Sequence, residues 1–325
     1  MIAPHSLALH GNLAGSWGRL LHFGLIVAGG LYLLLIPVFT KTFTDFAPST
    51  QTSVGGLLTM AVALAAHLTT ALAGATSMLV TAGFTFNETY LYWFPNFAFA
   101  FLLLGGIVIV HLTGPRWVQT AQIGFIAVAL SGLLLLDFVA LTRSGGGSPP
   151  VSGLAPTARS WALILLLFVG IDLVRLNLSE AKEDFSLVMV IGVLGTALLF
   201  ALWGWAAVRQ VPLQRLADTT IAPVLTAKQA WGQWGRYIMG LVTITGTLAA
   251  VNALFAMAAD TFGRTFEKIV GGYRPPVGAL VFVLGAVTAA AMALGLAGTE
   301  SIDVALKAGL VLWLLYYAAV SYTHL

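Results

Sequence analysis

The sequence predicts an all-α, polytopic membrane helix bundle that forms a single transmembrane domain over residues 1–325. Hydrophobic residues make up 59% of the chain, charged residues only 8%, and the mean hydropathy is +0.94. Soluble domains carry about a quarter charged residues, so water is not the solvent of most of this chain. The apolar stretches are continuous and do not alternate with polar residues, which favours membrane-spanning helices over strands.

Nine apolar stretches approach the length of about 20 residues that a membrane-spanning helix needs. They are predicted as spans over 20–40, 54–83, 95–113, 118–142, 160–178, 184–208, 237–259, 277–297 and 304–322. The first is too long for the apolar core of a signal peptide, so we interpret it as a retained helix.

Most connections between the predicted spans are short, but two are longer. Residues 143–159 are rich in glycine, serine and proline and are predicted as a flexible aqueous loop. Residues 209–236 are predicted to hold two short amphipathic helices at the membrane interface, 214–217 and 227–234. Two tryptophans, Trp231 and Trp234, are expected in the headgroup region there.

Composition excludes several classes of function. The chain has no cysteine, which removes disulfides, thiolate catalysis and cysteine metal sites. Its net charge of +3 is spread over loops and forms no basic stripe, so we expect no nucleic-acid partner. Lysines and arginines divide evenly between the two sides of the predicted topology, so the positive-inside rule does not orient the chain.

The fifth span carries the strongest local signal for a site. Asp172 follows Gly170 roughly halfway through the span 160–178. An aspartate in mid-span costs about 2.5 kcal/mol or more on insertion scales, and a neighbouring glycine weakens the helix at the same point. The pair predicts a discontinuous helix that can hold a polar solute. The alternative is that Asp172 lies nearer the surface and the span ends early.

Two further spans contain polar or small residues that must face other helices. In the seventh span, Asn252 either joins neighbouring helices by hydrogen bonding or contributes to a solute or ion site. The second span, 54–83, is rich in alanine, glycine and threonine. Neighbouring helices can cross such a helix closely, which predicts a central position in the bundle.

Histidines allow an alternative of a different class. His67 and His111 lie in or near spans, and paired histidines on facing helices can ligate a haem. No single predicted span carries two histidines that would form such a pair. Hydrogen bonding of each histidine within the bundle is therefore the simpler interpretation.

From about residue 96 onward, the chain resembles the amino acid–polyamine–organocation (APC) superfamily of permeases. Three stretches carry the resemblance. The first is Phe168-Val169-Gly170-Ile171-Asp172, followed by Glu180 and Lys182, which is similar to that family's broken sixth helix. The second is Val251-Asn252-Ala253-Leu254 with Ala258-Ala259-Asp260, which is similar to its eighth helix. The third is Gly114-Pro115-Arg116, leading to Gln119 and Gln122, which is similar to its link between helices four and five.

The resemblance implies a fold, an orientation and a site. The fold is the leucine-transporter-like five-plus-five inverted repeat, with the predicted spans equivalent to its helices two to ten. The side that bears Arg116, Lys182 and Arg264 is then cytoplasmic. The substrate lies between two discontinuous helices, the first and the sixth. The implied substrate-binding residues are Phe168, Val169, Gly170, Ile171 and Asp172, with Asn252 on the helix behind them.

We expect this chain to be truncated at both ends relative to that fold. The segment before the first predicted span, with Gly11 and Gly18, is glycine-rich but lacks an apolar span around it. The chain stops at Leu325, directly after its last predicted span.

The function that the resemblance implies is secondary active transport of amino acids or related small amines by alternating access. The transporter would be a symporter or antiporter in the cell (plasma) membrane, with H⁺ or Na⁺ as coupling ion. Its partners would be the small-molecule substrate and the lipid bilayer. We expect no enzyme activity, no catalytic residue, no metal site and no cofactor. The alternatives are a haem- or quinone-binding oxidoreductase subunit and a non-transporting membrane scaffold.

Overall fold

The computed structural model describes residues 4–18, 20–45, 54–143, 158–176, 185–219 and 222–322. Every regular element within these ranges is a helix, which confirms the predicted all-α class. The α-helices are α1 (Pro4–Trp17), α2 (Leu20–Asp45), α3 (Val54–Thr89), α4 (Asn96–Thr113), α5 (Pro115–Thr142), α6 (Ala158–Leu166), α7 (Phe185–Gln210), α8 (Leu213–Asp218), α9 (Ala222–Val270), α10 (Val277–Ala293) and α11 (Glu300–Tyr322). A 3₁₀ helix, Ile171–Leu176, lies between α6 and α7.

Seven of the described helices are long and apolar enough to cross a membrane, namely α2, α3, α4, α5, α7, α9 and α11. They correspond to seven of the nine predicted spans. The other two predicted spans contain shorter apolar helices, because the span 160–178 is interrupted after Leu166 and α10 has only 17 residues. By length and composition the chain fits an integral membrane protein.

The outward faces of the long helices are apolar. Leu34 on α2, Ile123 on α5 and Leu198 on α7 are all exposed on the protein surface. A continuous surface of such residues is unfavourable in water but favourable against acyl chains. The bundle therefore presents the surface that a lipid bilayer requires.

The long connection before α9 agrees only in part with the prediction. The first predicted amphipathic helix, 214–217, is present as α8. The second, 227–234, is not separate, because α9 continues through it with non-helical backbone only at Trp231 and Gly232. Trp234 is exposed, as expected of a residue in the headgroup region, whereas Trp231 is partly buried.

Helix α3 is central, as its small residues predict. It packs against both α9 and α11. At the crossing with α11, a Cβ added to Gly309 would lie 2.5 Å from Thr70 Oγ1 and 2.9 Å from the Thr70 backbone nitrogen. At the other end, a Cβ on Gly83 would lie 2.2 Å from the Asn96 carbonyl oxygen. Such close approaches are possible only where one helix has no side chain.

Helix α1 is the element that the sequence analysis does not predict. Its residues Leu7, His10, Leu13, Ala14 and Trp17 are buried, and the helix packs against α7, α8 and α9. Its glycines are contact points, because a Cβ on Gly15 would lie 2.4 Å from the Ala217 backbone nitrogen of α8. After α1 the chain turns at Gly18, which has a φ of +53°, and enters α2.

Two predicted features lie outside the described residues. Most of the loop 143–159 falls there, as do Glu180 and Lys182 of the first APC-like stretch.

Candidate functional site

The predicted interruption of the fifth span is present. Helix α6 ends at Leu166, the chain turns over 167–170, and the 3₁₀ helix begins at Ile171. Within the turn the backbone hydrogen bonds join residues three apart, as from the Phe168 N–H to the Leu165 carbonyl at 3.2 Å. Gly170 has a φ of +94°, a conformation that only glycine adopts without strain. The glycine therefore allows the α-helical ladder to end inside the bundle.

Tyrosine side chains bond the backbone groups that the interruption leaves outside the helical ladder. The Gly170 N–H donates to the Tyr317 hydroxyl at 3.1 Å. The Tyr32 hydroxyl donates to the Leu165 carbonyl at 3.0 Å. A discontinuous helix in hydrocarbon needs such partners, since unsatisfied backbone groups are costly there. Helices α2 and α11 thus hold the two sides of the break.

Asp172 lies directly after the break and is only 1% exposed. Its Oδ1 accepts a hydrogen bond from the Tyr317 hydroxyl at 2.6 Å, and its Oδ2 accepts one from the Trp313 indole N–H at 3.2 Å. Both donors stand on α11. The Asp172 carboxylate is therefore buried among side chains of the bundle and is not exposed on the protein surface.

His67 on α3 also lies next to Asp172. Its Nε2 is 3.9 Å from Asp172 Oδ2, and its Nδ1 is 2.8 Å from the Thr261 hydroxyl of α9. The imidazole ring also stands edge-on to the Trp313 ring, with ring centres 4.6 Å apart. We call the set formed by His67, Asp172, Thr261, Trp313 and Tyr317 the aspartate cluster.

The five predicted site residues of the fifth span lie together, with Asp172 in the aspartate cluster and the other four directly before it in the chain. Phe168, Val169, Ile171 and Asp172 are all buried, and Gly170 is buried between them. The Phe168 ring contacts Tyr32 of α2, with ring centres 5.5 Å apart. The described residues of the site therefore combine a carboxylate and an imidazole with aromatic and aliphatic surface, a composition typical of small-molecule sites.

The structure gives Asn252 different partners. It is 1% exposed on α9, and its Nδ2 donates to Gln122 Oε1 of α5 at 2.8 Å. His111 of α4 lies beside it. Asn252 precedes Thr261 by nine residues, which is about 13 Å of helix. Asn252 therefore joins α5 to α9 at a distance from the aspartate cluster. This position favours its predicted role in hydrogen bonding between helices over a role in a solute or ion site.

We expect the Asn252–Gln122 hydrogen bond to stabilise the bundle without changing solute affinity. A double-mutant cycle with Asn252→Ala and Gln122→Ala should give a coupling free energy of about 0.6 kcal/mol, the average for such bonds in membranes. The measurement is thermal unfolding of the four proteins in detergent. Loss of solute uptake by Asn252→Ala at unchanged stability would instead assign Asn252 to the site.

Asp137 on α5 is a buried carboxyl group that the sequence analysis does not single out. It is 2% exposed, and neither of its side-chain oxygens has a hydrogen-bond partner in the described part of the chain. It lies near the end of the predicted span 118–142, where an acidic side chain is expected to reach water. Burial at this position depends on the packing of α5 against α9 and α7.

Replacing Asp137 should stabilise the protein. A buried polar group without a hydrogen bond costs about 1–3 kcal/mol, so Asp137→Leu is expected to raise the midpoint of thermal unfolding. Asp303→Leu is the control, because Asp303 is half exposed and pairs with Lys307, a surface interaction of little net effect. A lower midpoint for Asp137→Leu than for the unmodified protein would show that the carboxyl group has a stabilising partner.

Asp260, from the second APC-like stretch, forms an ion-pair network outside the aspartate cluster. Its carboxylate is 2.9 Å from Arg264 Nε and 2.5 Å from Arg274 Nη2. Both arginines are more than a third exposed. The network connects the end of α9 to the segment that leads into α10.

The two histidines of the haem alternative have separate partners. His67 bonds Thr261, whereas His111 lies beside Asn252, nine residues earlier on the same helix. Among the described residues no group of three or more histidine, aspartate or glutamate side chains is arranged to hold a metal ion.

Sequence reasoning misses the hydrogen-bond donors of the site. Trp313, Tyr317 and Tyr32 lie in apolar spans, where aromatic residues also occur at interfaces and against lipid. Their hydroxyl and N–H groups give no sequence signal of the partner they reach. No protein-family model matches the chain, and no curated protein matches it.

Proposed function

We propose that this chain is a secondary active transporter that moves amino acids or related small amines across the cell membrane by alternating access. The observation that carries the proposal is the buried carboxylate of Asp172 at the interruption between α6 and the 3₁₀ helix. Ionisable residues inside membrane bundles are costly and mark substrate or ion pathways.

The chemistry of the site fits a cationic amine. An ammonium group offers three donors and one positive charge, which a buried carboxylate binds through charge-assisted hydrogen bonds. The Asp172 oxygens already accept from Tyr317 and Trp313, so an arriving ammonium would share or displace these donors. The neighbouring Phe168 and Tyr32 rings supply apolar and cation–π surface for the rest of the solute.

The interruption also supplies polar backbone groups. The Gly170 N–H now meets the Tyr317 hydroxyl, and the Leu165 carbonyl meets the Tyr32 hydroxyl. If either tyrosine changed its rotamer, the backbone group that it bonds could form a hydrogen bond with a solute instead. Transporters with discontinuous helices bind solutes in this way, since N–H groups at half-helix ends attract carboxylates and unwound carbonyls attract cations.

The helix pairings support a five-plus-five inverted repeat. In this proposal α1 to α5 correspond, in order, to α6 with the 3₁₀ helix, α7, α9, α10 and α11. Equivalent helices pack together, namely α2 with α7, α3 with α9 and α4 with α10. The contact between α5 and α9 has its counterpart in that between α11 and α3, and the contact between α5 and α7 in that between α11 and α2. Helix α1 then takes the place of the first helix of the repeat, in the segment where the sequence analysis expected that helix to be missing.

The proposal is tested by uptake into liposomes that contain the purified chain. A labelled panel of neutral, acidic and basic amino acids and putrescine is compared with empty liposomes. We expect saturable uptake of at least one solute, inhibited by its unlabelled form, and thermal stabilisation of the detergent-solubilised protein by the same solute. A purified protein with a Soret band and no uptake would favour the oxidoreductase alternative.

A further inference from the structure

The aspartate cluster contains one buried acid and one buried base in reach of each other. His67 Nε2 and Asp172 Oδ2 are 3.9 Å apart, and both side chains are almost inaccessible to water. In the tautomer whose Nδ1 donates to the Thr261 hydroxyl, Nε2 is the nitrogen that gains or loses a proton. Protonation of His67 therefore places a positive charge directly against the Asp172 carboxylate.

Phenols among the described residues also face the pair, and the Tyr316 ring of α11 stands edge-on to the His67 ring. Tyr32 of α2 and Tyr317 of α11 both face Asp172. Helix α9 contributes Thr261, whose neighbour Asp260 pairs with Arg264 and Arg274. Helix α7, which packs against the 3₁₀ helix, has no titratable residue before Arg209. A histidine side chain changes its charge near neutral pH more readily than a tyrosine side chain does.

The groups around Asp172 favour the binding of a proton over the binding of a sodium ion. Hard cations take several oxygen ligands such as carboxylates, carbonyls and water. Asp172 Oδ2 faces the Trp313 indole N–H and the His67 imidazole, which are nitrogen groups. An imidazole that already faces the carboxylate can hold a proton without any rearrangement of these groups.

The Asp172 carboxylate carries one negative charge, which balances one positive charge in this buried site. An amine cation at Asp172 and an imidazolium at His67 would repel each other in surroundings of low dielectric constant. Binding of the amine therefore favours the neutral form of His67.

On the basis of the transport function proposed above, we propose that His67 is the proton carrier of this transporter. In the empty site, a proton on His67 Nε2 stands against Asp172. A cationic amine that binds Asp172 displaces this proton, which leaves Nε2 for water on the side to which the site is open. Amine and proton are then exchanged one for one across the membrane.

The test measures protons released on binding by the full chain in detergent, in weakly buffered solution with a pH-indicator dye. The probes are ethylammonium chloride and propylammonium chloride, which carry one positive charge and no carboxylate and stay protonated between about pH 5 and pH 8. Sodium chloride at equal ionic strength is the blank. We expect release of about one proton per bound amine at low pH, falling to none as the pH rises through the titration of His67.

Two variants make the result specific. His67→Gln retains a group that can bond Thr261 but cannot carry the proton, so it should bind the amines without proton release. His10→Gln is the matched control, because His10 is also a buried histidine but stacks on Phe200 of α7. Its proton release should equal that of the unmodified protein.

Each outcome decides the inference. The proposed role of His67 is overturned if the unmodified protein binds amine without releasing a proton at any pH. It is also overturned if the His67→Gln variant releases as many protons as the unmodified protein, or if amine binding requires sodium ions. If the protein takes up amino acids but binds neither amine, the proposed transport function stands and the proposed exchange of amine for proton is overturned. No uptake and no binding of any solute overturns both.

Discussion

Asp172→Asn is expected to reduce solute uptake about 10- to 100-fold, the largest effect of any single substitution in the site. Asparagine keeps the volume of the side chain but removes the charge, and a hydrogen bond to a charged group contributes about 1.5–3 kcal/mol. Its amide N–H₂ would also face the Trp313 N–H or the Tyr317 hydroxyl, which now donate to the carboxylate. Initial uptake rates over a range of solute concentrations measure the effect.

The control for this substitution is Asp303→Asn. Asp303 lies at the start of α11, is about half exposed and pairs with Lys307 one turn later. Exposed pairs of this kind contribute little, so uptake should remain unchanged. Thermal unfolding of both variants separates loss of solute binding from loss of fold. Equal uptake by the Asp172→Asn and Asp303→Asn variants would remove Asp172 from the site.

Gly170→Ala is expected to lower both thermal stability and uptake. The φ of +94° at Gly170 is strained for any residue with a Cβ, at a cost of about 1–3 kcal/mol. Relief of that strain would rotate the peptide whose N–H bonds Tyr317, and Tyr317 in turn bonds Asp172. The interruption and the carboxylate are thus coupled through one hydroxyl group.

Gly105→Ala provides the matched comparison. Gly105 lies inside α4, and a Cβ added there meets no atom within 4 Å. Alanine at such a helical position is neutral or stabilising by up to about 1 kcal/mol. The two variants are compared by thermal unfolding and by uptake. If Gly170→Ala were as stable and as active as Gly105→Ala, the turn at 167–170 would not depend on the glycine.

The interruption of the fifth span could be predicted from sequence because two local signals coincide there. Gly170 weakens the helix and Asp172 cannot lie in hydrocarbon, so both point to a break inside the bundle. The central position of α3 could be predicted for a similar reason, since close helix contacts in membranes select small residues. These properties belong to short stretches of chain and do not depend on distant residues.

Helix α1 and the donors of Asp172 could not be predicted in the same way. Residues 4–17 are too few and too rich in glycine to resemble a span, and they are helical because α7, α8 and α9 surround them. Trp313 is 141 residues from Asp172 along the chain, and Tyr317 is 145. Asn252 and Gln122 were both noted in the sequence, but the hydrogen bond between them could not be predicted.

The sequence by itself determined that this protein is a helical membrane protein with a polar interruption in its fifth span. Those conclusions follow from the free energy of transferring side chains and backbone groups from water into hydrocarbon. Each stretch of the chain has its own transfer free energy, which does not depend on distant residues. Only the tertiary structure decided that Asp172 is buried, that His67, Trp313 and Tyr317 surround it, and that Asn252 lies with Gln122. Hydrogen bonds between helices depend on which faces meet, and that depends on the packing of the whole bundle.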